Sequence, residues 1–149
     1  MTLFEQVSKD IIAAMKAKDK MRLEALRNIK KYFIEAKTAP GANDTLEDDA
    51  ALKILSKLAK QGHDTAALYH EQNRPDLAEE EETQAKVIEE YLPKPLSSEE
   101  LETEIKGIIA EAQATTMRDM GKVMGIASKK LAGRADGKAI STLVKQLLS

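Results

Sequence analysis

Pro93 and Pro95, two residues apart in Leu92-Pro93-Lys94-Pro95-Leu96, break a hydropathy pattern that is helical along most of the chain. Each proline lacks a backbone donor and pushes its predecessor into extended conformation. The segment therefore reads as a stiff extended linker. It predicts an all-α protein in two parts, an N-terminal helical bundle over residues 1–92 and a small C-terminal three-helix domain over residues 97–149.

The helices follow from spacing and end signals. Thr2 caps a first helix over 2–18, with Gln6 near the far side of the capping arrangement and Phe4, Val7, Ile11 and Ala14 as the apolar stripe. Asp19 caps a second that runs to about Lys37 and buries Leu23, Leu26, Ile29 and Phe33; the tight connection makes the pair an antiparallel hairpin. Residues 38–45 form a loop around Pro40-Gly41 and Asn43-Asp44. Thr45-x-x-Asp48 is expected to open a long helix over 46–72, with Leu52, Leu55 and Leu58 inside and Asn73 as a left-handed stop. Gly62 interrupts it; one continuous helix is the favoured reading and a kink at Gly62-His63 the alternative. Pro75 suits the first turn of a fourth helix, 75–91.

Beyond the linker, Ser97-x-x-Glu100 is a capping box for a helix over 98–113 that buries Leu101, Ile105, Ile108 and Ile109. Thr115 or Thr116 caps the next, with Met117, Met120, Met124, Ala127 and Leu131 facing inward. Gly133 fits the position just past its end, and Asp136 caps a last helix carrying Ile140, Leu143, Val144, Leu147 and Leu148. With aromatic residues at 3% and no Trp, these cores must be aliphatic. The chain has no Cys, which excludes disulfides, thiolate metal sites and a Cys nucleophile. No long apolar run suggests a signal peptide or a span, so a cytoplasmic protein is expected.

Charge is distributed unevenly. Residues 1–40 carry a net +4, residues 41–113 a net −11 and residues 114–149 a net +5, within a total of −2. A basic module attached to an acidic body points to a polyanionic partner. The candidate nucleic-acid contacts are Lys122, Lys129, Lys130, Arg134, Lys138 and Lys145. No aromatic lies in 97–149, so base stacking is absent there, and binding must rest on shape and phosphate. That suits the outside of a folded tRNA better than a single strand.

Gly121 and Gly125 lie four apart inside a helix, which has two readings: close packing of another helix, or an open backbone surface for a sugar–phosphate chain. Gly133 and Gly137 flank Arg134-Ala135-Asp136. There the first donors of the last helix would receive a phosphate beside Arg134 and Lys138, unless Asp136 already occupies them. A weaker basic stripe, Lys16, Lys18, Lys20, Arg22, Arg27, Lys30 and Lys31, has two readings, a second nucleic-acid contact or plain surface, of which surface is favoured. His63 and His70, seven apart, read as solvated surface histidines and not as metal ligands. No Ser-Lys pair, phosphate-binding glycine loop or isolated carboxylate pair marks a catalytic centre.

The run YLPKPLS (91–97), with MRDMGKVMG (117–125), KLAGRADGKAISTLVKQLLS (130–149), LRNIK (26–30) and RPDLAEEEE (74–82), resembles the YqeY family. That family shares its fold with the tail domain of the B subunit of the glutamine-dependent aspartyl/glutamyl-tRNA amidotransferase. Gly62 and Asn73 stand where relatives tend to carry a basic residue and a glycine. The resemblance implies a helical N-terminal domain and a three-helix tail-like domain. It also implies a role like that of the amidotransferase tail, which helps hold tRNA and does no chemistry. Free-standing members carry names linking them to carbon–nitrogen ligase activity with glutamine as donor, a label that follows the shared domain.

The function expected is therefore that of a non-catalytic tRNA-binding accessory protein. The alternatives are a protein–protein adaptor whose basic module meets an acidic surface, or an amidotransferase-associated component. The partners expected are tRNA and a protein of tRNA-dependent amidation, with no catalytic residue, cofactor, metal or membrane contact.

Overall fold

A computed structural model describes residues 1–149 as seven α-helices and one 3₁₀ turn, with no strand. The helices are α1 (Leu3–Ala17), α2 (Lys20–Lys37), α3 (Asp48–Glu71), α4 (Pro75–Glu89), α5 (Ser98–Ala112), α6 (Met120–Lys130) and α7 (Gly137–Leu148). The fold is all-α. The chain divides into two compact units, residues 1–92 and 93–149.

In the N-terminal unit, Thr2 forms a reciprocal capping box at α1 with Glu5 at the third helical position, not with Gln6, whose amide donates to Asp10 at 3.0 Å. Lys18 turns through left-handed conformation, φ 56°, and Asp19 accepts from the Arg22 N–H at 3.1 Å to start α2. The core is built on Val7, Leu26, Ile29, Phe33 and Leu55, all fully buried. Phe4 leans on Phe33 with ring centres 6.5 Å apart.

α3 and α4 are joined by three residues; Asn73 takes φ 60°, and the Arg74 N–H donates to the Tyr69 carbonyl at 2.8 Å. Their seam is made of small side chains. Ala59 and Ala66 on α3 and Ala78 and Ala85 on α4 are buried, and a Cβ at Gly62 would stand 3.3 Å from the Ala85 Cβ. Gly62 therefore has a packing reason, and α3 runs through it without a break.

The start of α3 differs from the sequence expectation. Its N-cap is Glu47, which makes no side-chain capping bond. The Thr45 hydroxyl donates instead to the Ala42 carbonyl at 2.7 Å. The Asp48 carboxylate accepts from the Leu3 N–H at 3.0 Å, tying α3 to the first turn of α1. A tertiary donor has displaced the local motif.

In the C-terminal unit, Ser97 and Glu100 cap α5 reciprocally. The Leu96 N–H donates to the Arg134 carbonyl at 2.9 Å and anchors the extended segment. Ile105, Ile108, Val123, Leu131 and Val144 are fully buried. Thr116 opens the 3₁₀ turn Met117–Asp119, with Asp119 closing the box. That turn holds Met117 outward, 44% exposed, so it is not an inner-face residue. Met120 and Met124 pack against the core from its edge. No helix is long and apolar enough to cross a membrane.

Candidate nucleic-acid interface

α6 buries Val123 and Ala127, with Leu131 just past its end, one turn apart along a single stripe. Its outward side carries Gly121, Lys122, Gly125, Ile126, Lys129 and Lys130, which together line a shallow, wide-open depression. A Cβ built at Gly121 or Gly125 would meet nothing within 4 Å. No neighbouring helix comes close to these two glycines, and the helix-packing reading of them is overturned. They leave the α6 backbone uncovered between lysines.

The three lysines of this face differ in their commitments. The Lys122 ammonium donates to the Ala112 carbonyl at 3.3 Å, at the C-terminal end of α5 where unsatisfied carbonyls gather. Lys129 and Lys130 stand exposed on the last turn of α6.

The other candidates lie elsewhere. Lys138 lines a separate groove between α5 and α7, together with Glu102 and Asp136. Asp136 accepts from the Lys138 N–H at 3.3 Å, so a carboxylate already sits at the first donors of α7. Arg134 has its carbonyl taken by Leu96. Its guanidinium adds to the field that holds the Glu100 carboxyl below its ordinary range, an effect led by the capping bonds of Ser97. Lys145 is exposed in the last turn of α7. Gly133 occupies the left-handed region at φ 76°, the one glycine of this unit whose backbone demands it. Gly137 opens α7 with open space beside it. The structure thus brings together Lys122, Lys129 and Lys130 with Gly121 and Gly125. It sets Lys138 in a mixed-charge groove and lines neither depression with Arg134 or Lys145.

A polar site that sequence spacing missed lies in the N-terminal unit. His63 is held by two carboxylates of α4, Nδ1 to Glu82 at 2.8 Å and Nε2 to Glu89 at 2.6 Å. The Glu89 bond chiefly, with the Glu82 charge behind it, raises the imidazole pKa above its ordinary value. The available signal was Glu82 and Glu89, seven apart and so on one helix face, opposite a lone histidine. His70 is exposed. No group of three or more His, Asp or Glu is arranged to hold a metal ion. Nearby, Arg22 pairs with Glu90 at 2.7 Å, and the Tyr91 hydroxyl donates to Asp10. Burial first, then that bond, pushes the Tyr91 phenol up. Lys30 and Lys37 sit over the Phe4 ring at 5.8 and 4.1 Å, so part of the N-terminal basic stripe serves packing.

Family comparison decides the kinship. The model of the Yqey-like protein family matches residues 4–148. The chain belongs to the YqeY family. Among its relatives is the altered inheritance of mitochondria protein 41, mitochondrial, of Vanderwaltozyma polyspora. It is 37% identical over 107 residues, covering 67% of this chain and 55% of that protein. The same-named protein of Lachancea thermotolerans is 31% identical over 107 residues, 70% of this chain and 57% of its own length. This YqeY-family chain spans about half the length of these yeast relatives. A glutamyl-tRNA(Gln) amidotransferase subunit of Thermococcus gammatolerans is 43% identical over 70 residues, 44% of this chain and 11% of that protein. That similarity agrees with the amidotransferase relation the sequence motifs implied.

Proposed function

We propose that this YqeY-family protein is a non-catalytic accessory factor that docks on tRNA through the outward face of α6. The observation that carries the reading is the bare helix surface at Gly121 and Gly125, beside the exposed Lys129 and Lys130. A sugar–phosphate chain can lie against a helix without side chains in its way, and the flanking ammonium groups neutralise its phosphates. The similarity to a subunit of a glutamyl-tRNA(Gln) amidotransferase supports tRNA as the polyanion. The absence of aromatics from residues 97–149 supports recognition by backbone and shape, not by stacked bases.

The test is tRNA affinity of the full chain across a salt series. Binding should weaken steeply as salt rises. The double variant Lys129→Glu/Lys130→Glu should lose about tenfold or more in affinity and flatten the log–log salt slope by about two, one per lost phosphate contact. No binding at low salt, or an unaltered slope in the double variant, removes the proposal.

A further inference from the structure

The N-terminal unit holds another cleft, of about 180 Å³, where α2, α3 and α4 meet. Asn28 and Tyr32 reach it from α2, Gln61 from α3, and Glu81 and Gln84 from α4, above the buried Leu58. Elsewhere between these helices polar side chains are tied to one another, as in Arg22–Glu90 and His63 with Glu82 and Glu89. In the cleft, no hydrogen bond within the chain engages the carboxamides of Asn28, Gln61 or Gln84.

The chemistry of this set is specific. A carboxamide presents a donor and an acceptor side by side, the pattern that pairs with the edge of a nucleobase. A carboxylate such as Glu81 accepts from an exocyclic amine and repels a keto oxygen. The Tyr32 ring, 37% exposed, offers a flat face on which a base can stack. The Lys31 ammonium stands over one face of that ring, 5.6 Å from its centre, so a stacking base takes the other face. The volume is well below the roughly 300–1,000 Å³ of drug-sized ligand sites, so it suits one planar ring system and not a whole nucleotide.

We propose that this cleft binds a nucleobase bearing an exocyclic amine, adenine foremost, with ribose and phosphate left outside near Lys31. The base is carried either by a free mononucleotide or by an unpaired nucleotide of an RNA. The site belongs to the N-terminal unit and does not depend on the tRNA reading.

The experiment titrates the full chain with adenosine monophosphate and follows the side-chain amide resonances by NMR. Saturable shifts at Asn28, Gln61 and Gln84 are expected. Tyr32→Ala should weaken binding about tenfold, the worth of one stacked base, while Tyr32→Phe retains it. Asn28→Ala and Gln61→Ala alter exposed positions, leave the core intact and should weaken it too. Lys129→Glu/Lys130→Glu should leave it unchanged. Oligoadenylate binding more tightly per site than the mononucleotide identifies RNA as the source; equal affinity identifies the free nucleotide. The proposal is overturned if millimolar adenosine monophosphate gives no saturable shift. It is equally overturned if ribose 5-phosphate or free glutamine saturates the same resonances, since neither carries a base.

Discussion

The two units of this chain use charge in opposite ways. In the N-terminal unit, several charged and polar side chains are spent between helices: Asp10 receives Tyr91, Arg22 meets Glu90, His63 sits between Glu82 and Glu89, and two lysines cover Phe4. In the C-terminal unit, the carboxylates Glu100 and Asp119 close capping boxes, Glu102 pairs within its own helix with Lys106, and Lys122 reaches a helix-end carbonyl. Its α6 face keeps Lys129 and Lys130 exposed beside two bare glycines. Net charge alone would rank both ends of the sequence as nucleic-acid surfaces. Partnering separates them in part: Arg22, Lys30 and Lys37 are already engaged, and a cation used in packing has less to gain from a phosphate, while Lys16, Lys18, Lys20 and Arg27 stay exposed.

The strongest way to break this contrast is to damage one unit and watch the other. Phe33 is fully buried at the centre of the N-terminal core. Phe33→Ala should destabilise that unit by about 3–5 kcal/mol through lost burial and the cavity left behind. Amide exchange at Val123 and Leu131 should stay protected, and tRNA affinity should persist. Loss of affinity while those amides remain protected would place the interface outside α6.

Three glycines sharpen the comparison at smaller scale. Gly125 sits mid-helix with open space where a Cβ would go, so Gly125→Ala should stabilise α6 by up to about 1 kcal/mol. Gly121 lies in the first turn, where the gain is less. Both changes should weaken tRNA binding, because each raises a methyl on the docking surface. Gly62→Ala should forgo the gain, since its Cβ would press on Ala85 at 3.3 Å in the alanine seam of α3 and α4. Urea titration of the three variants checks the signs. Gly62→Ala stabilising as much as Gly125→Ala would contradict the seam, and unimpaired binding by Gly121→Ala/Gly125→Ala would contradict the docking face.

Local signals carried much of this architecture. Thr2, Asp19, Ser97 and Asp136 cap as their spacing predicts, because a cap is settled within four residues, whereas Thr116 caps the 3₁₀ turn and leaves α6 to start after Asp119 without a side-chain cap. Asn73 stops its hairpin for the same reason. The failures are tertiary. Thr45 lost its capping role because Asp48 found a donor 45 residues away. The expected inner stripe ran one turn too far, through Met117, which the 3₁₀ turn ahead of α6 holds outward, and it missed the buried Val123. The His63 clamp needs the register between α3 and α4, and a spacing of 19 residues along the chain does not reveal it. Which of the candidate lysines share a face was not legible, because helix packing decides that grouping.

The smallest effect tests whether the N-terminal ties form in solution. His63 bonded to Glu89 and Glu82 has its pKa raised in the folded chain. The charged clamp then contributes its full stability below the ordinary histidine value of about 6.5, where the imidazolium is also present in the unfolded chain. As pH rises through the higher folded value the proton leaves and that contribution disappears, so stability should fall from mildly acidic toward alkaline pH. Because the side chains are partly exposed, the change should stay under about 1 kcal/mol and shrink with added salt. Unfolding free energy measured across that range should show the slope in the native chain and lose it in His63→Gln. An identical slope in both would mean that some other group titrates and that the histidine between two carboxylates does not hold α3 to α4.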